Sequence, residues 1–144
     1  MLAGSMKVKI LFLCTGNAAR SQMAEALARA DHGGSIEAFS AGSRPAELVH
    51  HLAIQAMEEV GIRMDGAYTK GAERFADAPF DVVVTVCDSA AQDCPTWPEA
   101  KRIEHWSIED PSWGDPATRW ERFRETRDDL RRRIRDLVFS LESD

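Results

Sequence analysis

The strongest constraint in this sequence is an apolar, β-rich run that leads through a short loop into a helical pattern. The run covers residues 7–14 (KVKILFLC) and is continuously apolar from Ile10 to Leu13, as in a strand covered on both faces. A loop over 15–20 follows, and a helix is predicted through 22–30 with Ser21 as its N-cap. A buried strand that enters a helix in this way predicts a parallel sheet.

The same alternation continues along the chain. Further strands are predicted over 36–41, 80–86 and 102–106, and further helices over 46–60, 71–78 and from Ala117 onward. This order predicts one α/β domain over 6–144, a three-layer αβα arrangement around a four-stranded parallel sheet. Residues 1–5 precede a second methionine, Met6, and are expected to be a cloning remnant or an alternative start.

Composition narrows the classes of function. The 144 residues are 44% hydrophobic and 29% charged, which is ordinary for one globular domain. A net charge of −6 argues against nucleic acid or an anionic membrane as a partner. No apolar run approaches the roughly 18 to 20 residues of a membrane span, and no signal peptide is evident. We therefore expect a cytoplasmic protein, and a monomer.

Three cysteines suggest thiol chemistry rather than a disulfide framework. The number is odd and the density is low, which is typical of a reducing compartment. Cys87 follows the third predicted strand and Cys94 lies seven positions later, too far for a short metal-binding Cys-x-x-Cys hook. Cys14 ends the first strand. Because ligands bind beyond the carboxyl ends of parallel strands, we expect the three thiols near one edge of the sheet, where they suggest a relay of exchanges at sulfur.

The loop after the first strand has the residues of an oxyanion cradle. This thiol loop consists of Cys14, Thr15, Gly16, Asn17, Ala18, Ala19, Arg20 and Ser21. Its N–H groups can turn inward, Gly16 and Asn17 tolerate the backbone angles required, and the helix N-terminus adds a positive end. We expect Arg20 to bind two oxygens of the anion and Ser21 to donate a hydrogen bond to the Cys14 sulfur. The same field predicts a Cys14 thiolate with a pKa of roughly 4 to 6.

Residues 14–25 (CTGNAARSQMAE) resemble the signature of the low-molecular-weight protein tyrosine phosphatase superfamily, and SQMAE is similar to its thioredoxin-coupled arsenate reductases. Later matches are SAG at 40–42, VTVC at 84–87, CP at 94–95, EHW at 104–106 and DP at 110–111. The resemblance covers nearly the whole chain from Met6. It implies that family's fold, arsenate as substrate with phosphate or sulfate as analogues, thioredoxin as electron donor, and no bound cofactor.

The resemblance also implies a role for each site residue. Cys14 would attack arsenate, and Cys87 would attack the adduct to give a Cys14–Cys87 disulfide with release of arsenite. Cys94 would then form a Cys87–Cys94 disulfide for thioredoxin to reduce. Asp110 would be the general acid for the departing oxygen.

No metal is expected. Some family members bind potassium through positions matching Asn17, Glu25 and Ser40 and an acidic side chain, but the last position is Lys70 here. The resemblance therefore implies that the Lys70 ammonium takes the place of the ion and supports Asn17 through Glu25 and Ser40.

Three alternatives remain. A low-molecular-weight phosphotyrosine phosphatase would form a phosphoenzyme on Cys14, although such relatives usually carry aromatic residues directly after the Asp-Pro, where Ser112 stands before Trp113. A non-catalytic oxyanion or redox sensor would use the thiol loop and the other two cysteines without turnover. A third alternative keeps the reductase chemistry but takes electrons from another small thiol or from glutaredoxin.

Overall fold

The computed structural model describes residues 7–87, 97 and 100–142, and its centre is a four-stranded parallel sheet in the order β2-β1-β3-β4. The strands are β1 (Val8–Cys14), β2 (Ile36–Gly42), β3 (Val82–Thr85) and β4 (Arg102–His105). The helices are α1 (Arg20–His32), α2 (His51–Glu59) and α3 (Arg119–Glu142), with 3₁₀ helices at Ala72–Phe75 and Pro116–Thr118. The predicted α/β class and parallel sheet are confirmed.

Strand register assigns the two faces of the sheet. Phe12 lies level with Ser40 and Val84 and contacts Trp106, whose ring lies under Arg133 of α3. Helices α1 and α3, which pack against each other, cover this face. On the opposite face an aromatic cluster packs around the first 3₁₀ helix. Its members are Phe39, Phe75, Phe80 and Trp97. The central strand β1 is thus buried on both faces, as its apolar run predicts.

The C-terminal helix follows its predicted apolar stripe. Phe123, Leu130, Ile134 and Leu137 are all buried, at the three- and four-residue spacing of one helix face. None of the helices within the described residues combines the length and the apolar character needed to cross a membrane.

Three local predictions were wrong. Helix α2 begins at His51 and not at residue 46, because the preceding backbone pairs with the thiol loop: Ala46 N donates to Gly16 O (2.9 Å) and His50 N to Ala18 O (2.8 Å). Ser21 is not an N-cap, since α1 already begins at Arg20 and no side chain caps it. The predicted helix over 71–78 is reduced to the 3₁₀ helix Ala72–Phe75.

Candidate active site

Cys14 lies at the carboxyl end of β1 with its thiol buried beneath the start of α1. The residue is 2% exposed. Its Sγ accepts a hydrogen bond from the Asn17 main-chain N–H (3.1 Å) and lies 2.8 Å from Ser21 Oγ. The predicted contact between Ser21 and the sulfur is therefore present, and it accounts for the direction of that side chain better than capping does.

The thiol loop curves because its carbonyl groups are bound from outside. Main-chain N–H groups in 43–50 donate to the carbonyls of Cys14 (3.2 Å), Thr15 (2.8 Å), Gly16 (2.9 Å) and Ala18 (2.8 Å). With the carbonyls turned outward, the opposite ends of the same peptides turn inward, as the Asn17 N–H does. Asn17 itself has a φ of 51°, a left-handed conformation that asparagine tolerates better than most residues. The predicted cradle geometry thus has a structural cause in segment 43–50.

Gly42 supports the thiol loop, a role that the residue pattern did not predict. A Cβ there would lie 2.5 Å from Thr15 O and 2.9 Å from Asn17 N, closer than van der Waals contact permits. The close approach of β2 to the thiol loop therefore requires glycine at this position. The Ser40-Ala41-Gly42 match was the available sequence signal.

Arg20 and Asp110, which are distant in sequence, lie close together at the N-terminal end of α1. Arg20 Nη1 donates to Ile108 O (2.8 Å), and its Nη2 lies 3.7 Å from Asp110 Oδ2. Asp110 Oδ1 accepts hydrogen bonds from Ser112 N (2.9 Å) and Ser112 Oγ (2.6 Å), so the second carboxylate oxygen is the one nearer Arg20. The structure thus joins the predicted cation and the predicted acid.

Cys87 lies against the thiol loop. It is 5% exposed, and its Sγ lies 3.3 Å from the hydroxyl of Thr15, the residue that follows Cys14. Val86 N donates to Leu13 O (2.7 Å), which holds the end of β3 beside the end of β1. Cys94 lies outside the described residues.

The expected Cys14 thiolate is not supported in this arrangement. Burial raises the pKa of the Cys14 thiol above its ordinary value, and the nearby Cys87 adds to the rise. Hydrogen bonding with Ser21 and the charge of Arg20 lower the pKa, but burial has the larger effect. The expectation was wrong because it weighed the cations and N–H groups without the cost of placing a charge in a buried position.

Lys70 lies beside Glu25 in a cluster of charged side chains, as expected, but it contacts Asn17 by a different route from the predicted one. Its Nζ lies 3.7 Å from Glu25 Oε1 and donates to Tyr68 O (3.0 Å). Glu25 also pairs with Arg29 (2.6 Å) and accepts a hydrogen bond from Ser40. A carboxylate already satisfied by two cations does not fit a further metal ion. Lys70 reaches Asn17 through its main-chain N–H (2.9 Å to Oδ1), and not through Glu25 and Ser40.

Within the described ranges, no three His, Cys, Asp or Glu side chains are grouped to hold a metal ion. The site that the structure assembles therefore consists of two thiols, a hydrogen-bonding loop, an arginine and a carboxylate. These are groups that bind a tetrahedral oxyanion and perform nucleophilic chemistry at sulfur.

Fold and site together define the class of protein. The family model for low molecular weight phosphotyrosine protein phosphatase matches residues 9–144, and the chain belongs to this family.

Within the family, the chain is similar to proteins named arsenate reductase. It is 37% identical to that of Halalkalibacterium halodurans over 131 residues, which are 90% of this chain and 94% of the relative. It is 36% identical to that of Bacillus subtilis over 131 residues, with the same coverage.

Solved structures agree. An arsenate reductase in the phosphate binding state superposes with a TM-score of 0.79 at 34% identity, covering 94% of this chain and 98% of the other. A thioredoxin-dependent arsenate reductase of Corynebacterium glutamicum superposes with a TM-score of 0.71 at 30% identity, covering 96% of this chain and 63% of the other.

Proposed function

We propose that this chain is an arsenate reductase that converts arsenate to arsenite through a relay of Cys14, Cys87 and Cys94, with thioredoxin as the reductant. The observation that carries the proposal is the position of Cys87. Its sulfur lies 3.3 Å from Oγ1 of Thr15, a residue of the thiol loop. A hydrolase that forms a covalent intermediate on Cys14 needs no second thiol there, whereas a reductase does.

In the first step, the Cys14 sulfur forms a bond to arsenic. The thiol proton and one arsenate oxygen, as hydroxide, leave together as water, which balances the step without another reactant. Burial raises the pKa of the Cys14 thiol, which favours the protonated form in the resting site, and we assign its proton to this water. We assign Arg20 to the remaining arsenate oxygens. Asp110 protonates the leaving oxygen, and its carboxylate recovers the thiol proton, so that one proton is transferred in all.

In the second step, Cys87 attacks the Cys14 sulfur. The sulfur–sulfur bond forms, the sulfur–arsenic bond breaks, and its electron pair stays on arsenic, which is reduced from As(V) to As(III). The proton of the Cys87 thiol passes to an oxygen of the departing arsenite. Cys94 then attacks Cys87, forms the Cys87–Cys94 disulfide and frees Cys14. Thioredoxin reduces this second disulfide by the same exchange at sulfur.

We place this cycle in the cytoplasm, because a relay that returns each cysteine to the reduced state needs a reducing compartment. We also propose that a monomer suffices, since one chain supplies Cys14, Cys87, Arg20 and Asp110. Phosphate and sulfate, which share the tetrahedral shape and charge of arsenate, are expected to compete with it at the thiol loop.

A coupled assay tests the proposal. Purified protein is mixed with arsenate, thioredoxin, thioredoxin reductase and NADPH, and a parallel sample receives an aryl phosphate. We expect NADPH oxidation that depends on arsenate and stops when thioredoxin is omitted. Rapid aryl phosphate hydrolysis without arsenate-dependent NADPH oxidation would instead identify a phosphatase. Turnover with glutathione and glutaredoxin but not with thioredoxin would contradict the assigned donor.

A further inference from the structure

Two main-chain groups with fixed hydrogen-bonding roles contact the side chains of Gln22 and Asn17. The carbonyl of Tyr68 can only accept a hydrogen bond, and the N–H of Lys70 can only donate one. Gln22 Nε2 donates to Tyr68 O (2.8 Å), and Lys70 N donates to Asn17 Oδ1 (2.9 Å). These contacts determine which end of each side-chain amide is nitrogen and which is oxygen.

The two amides are also joined to each other. Gln22 Nε2 places its second hydrogen on Asn17 Oδ1 (3.0 Å), so this oxygen accepts from Gln22 and Lys70 together. The Asn17 nitrogen must then point the other way, and Nδ2 donates to Ser21 Oγ (2.8 Å). Gln22 is 2% exposed and Asn17 and Ser21 are fully buried, so water does not compete for these bonds.

The direction of the last bond follows. Ser21 has one hydroxyl hydrogen, and its oxygen already accepts from Asn17. The hydrogen therefore points to another acceptor, and the Cys14 sulfur lies 2.8 Å away. Geometry at the sulfur alone leaves either atom as the donor, but the two amides behind it select Ser21 as the donor.

We propose that Gln22 is a positioning residue of the thiol site: with the Lys70 N–H, it fixes the direction of the Asn17 amide and so directs the Ser21 hydroxyl hydrogen onto the Cys14 sulfur. A sulfur that loses its proton or gains negative charge during exchange is stabilised by this donor. The inference deepens the proposed function and rests on it for its catalytic meaning, but the hydrogen-bond direction is measurable on the free protein.

The test measures carbamidomethylation of Cys14 by iodoacetamide as a function of pH, following the peptide that contains Cys14 by mass spectrometry. Gln22→Met keeps the length of the side chain and removes its donor. We expect alkylation near neutral pH to slow about five- to tenfold, with the profile displaced to higher pH and its alkaline plateau unchanged. Gln22→Glu presents an acceptor to Asn17 Oδ1 and is expected to have the larger effect. Gln55→Met, on the exposed side of α2, is the matched control and leaves the profile unchanged.

A double-mutant cycle separates positioning from packing. In a Ser21→Ala background the donor is gone, so Gln22→Met is expected to change the alkylation rate less than twofold further. The proposal is overturned if Gln22→Met slows alkylation equally with and without Ser21, or if it does not slow alkylation in the chain that keeps Ser21. Should Gln22→Met not fold, as judged by thermal unfolding, Gln22→Ala takes its place in both backgrounds. Because the readout needs no arsenate, it also tells failure of this inference apart from failure of the reductase assignment.

Discussion

Two loops border the site, and they are held in different ways. The thiol loop is bound by segments far from it in sequence: 43–50 pairs with its carbonyls, and Lys70 pairs with Asn17. The acid loop, residues 107–115, carries Asp110. Its Oδ1 accepts hydrogen bonds from Ser112, a neighbour two residues along the chain. Trp113 in the same loop is 77% exposed. Arg20 connects the two loops through Ile108 and Asp110.

The site therefore combines a rigid nucleophile with a less constrained acid. Several long-range, buried hydrogen bonds hold the thiol loop, whereas the Asp110 carboxylate is held by local bonds to Ser112 and a 3.7 Å contact with Arg20, which leaves it freer to adjust. Substitutions in the thiol loop are therefore expected to affect both stability and chemistry. Substitutions in the acid loop are expected to affect chemistry more than stability.

The largest expected effect is that of Cys14→Ser. Serine is nearly isosteric, but its hydroxyl is a far weaker nucleophile at neutral pH, so arsenate-dependent NADPH oxidation is expected to fall by about 10³-fold or more. Equilibrium phosphate binding, measured by calorimetry, should persist because the loop amides and Arg20 remain. Retention of more than a tenth of the activity would remove Cys14 from the nucleophile role.

Asp110→Asn tests the acid loop. Loss of a general acid is expected to lower kcat about 10²-fold, with a smaller change in KM and a change in unfolding free energy within about 0.5 kcal/mol. Steady-state kinetics and urea unfolding measure the two quantities. A loss of several kcal/mol of stability would mean that the acid loop is as structural as the thiol loop.

Asn17→Gly and Ser112→Ala compare the stability of the two loops. Glycine retains the positive φ, but the Lys70 N–H loses its Asn17 partner and the Gln22 and Ser21 side chains each lose one of their two hydrogen bonds. We therefore expect a loss of about 2 to 3 kcal/mol. Ser112→Ala removes a half-exposed local bond and is expected to cost less than about 1 kcal/mol. Equal losses in urea unfolding would erase the distinction between the loops.

The buried thiol predicts a smaller, pH-dependent effect. Burial raises the folded-state pKa of Cys14, so its protonated form stabilises the fold fully below the ordinary thiol pKa, and this contribution is lost as pH rises through the folded pKa. The unfolding free energy should therefore fall more steeply in the alkaline range than in Cys14→Ala, by at most about 1.4 kcal/mol per unit of pH. Parallel curves for the two proteins would show that the thiol is not perturbed.

The parts of the structure that depend on local pattern were predictable. The apolar run of β1, the stripe of α3 and the strand–loop–helix order carry the class of fold and the position of Cys14. The start of α2 was not predictable from local pattern, because the N–H groups of Ala46 and His50 bind carbonyls some thirty residues away. The contact of Ser21 with the Cys14 sulfur was predicted, but the raised Cys14 pKa was missed, because it depends on how deeply the folded chain buries the sulfur.

The central claim is that Cys87 attacks the sulfur of Cys14 after arsenate has bound there. The most direct test reacts reduced Cys94→Ser protein with arsenate in the absence of thioredoxin, then maps its disulfides by mass spectrometry and counts the arsenite released. We predict one arsenite per protein and a Cys14–Cys87 disulfide, with no further turnover. Arsenite release without that disulfide, or no arsenite while the wild-type chain turns over, would contradict it.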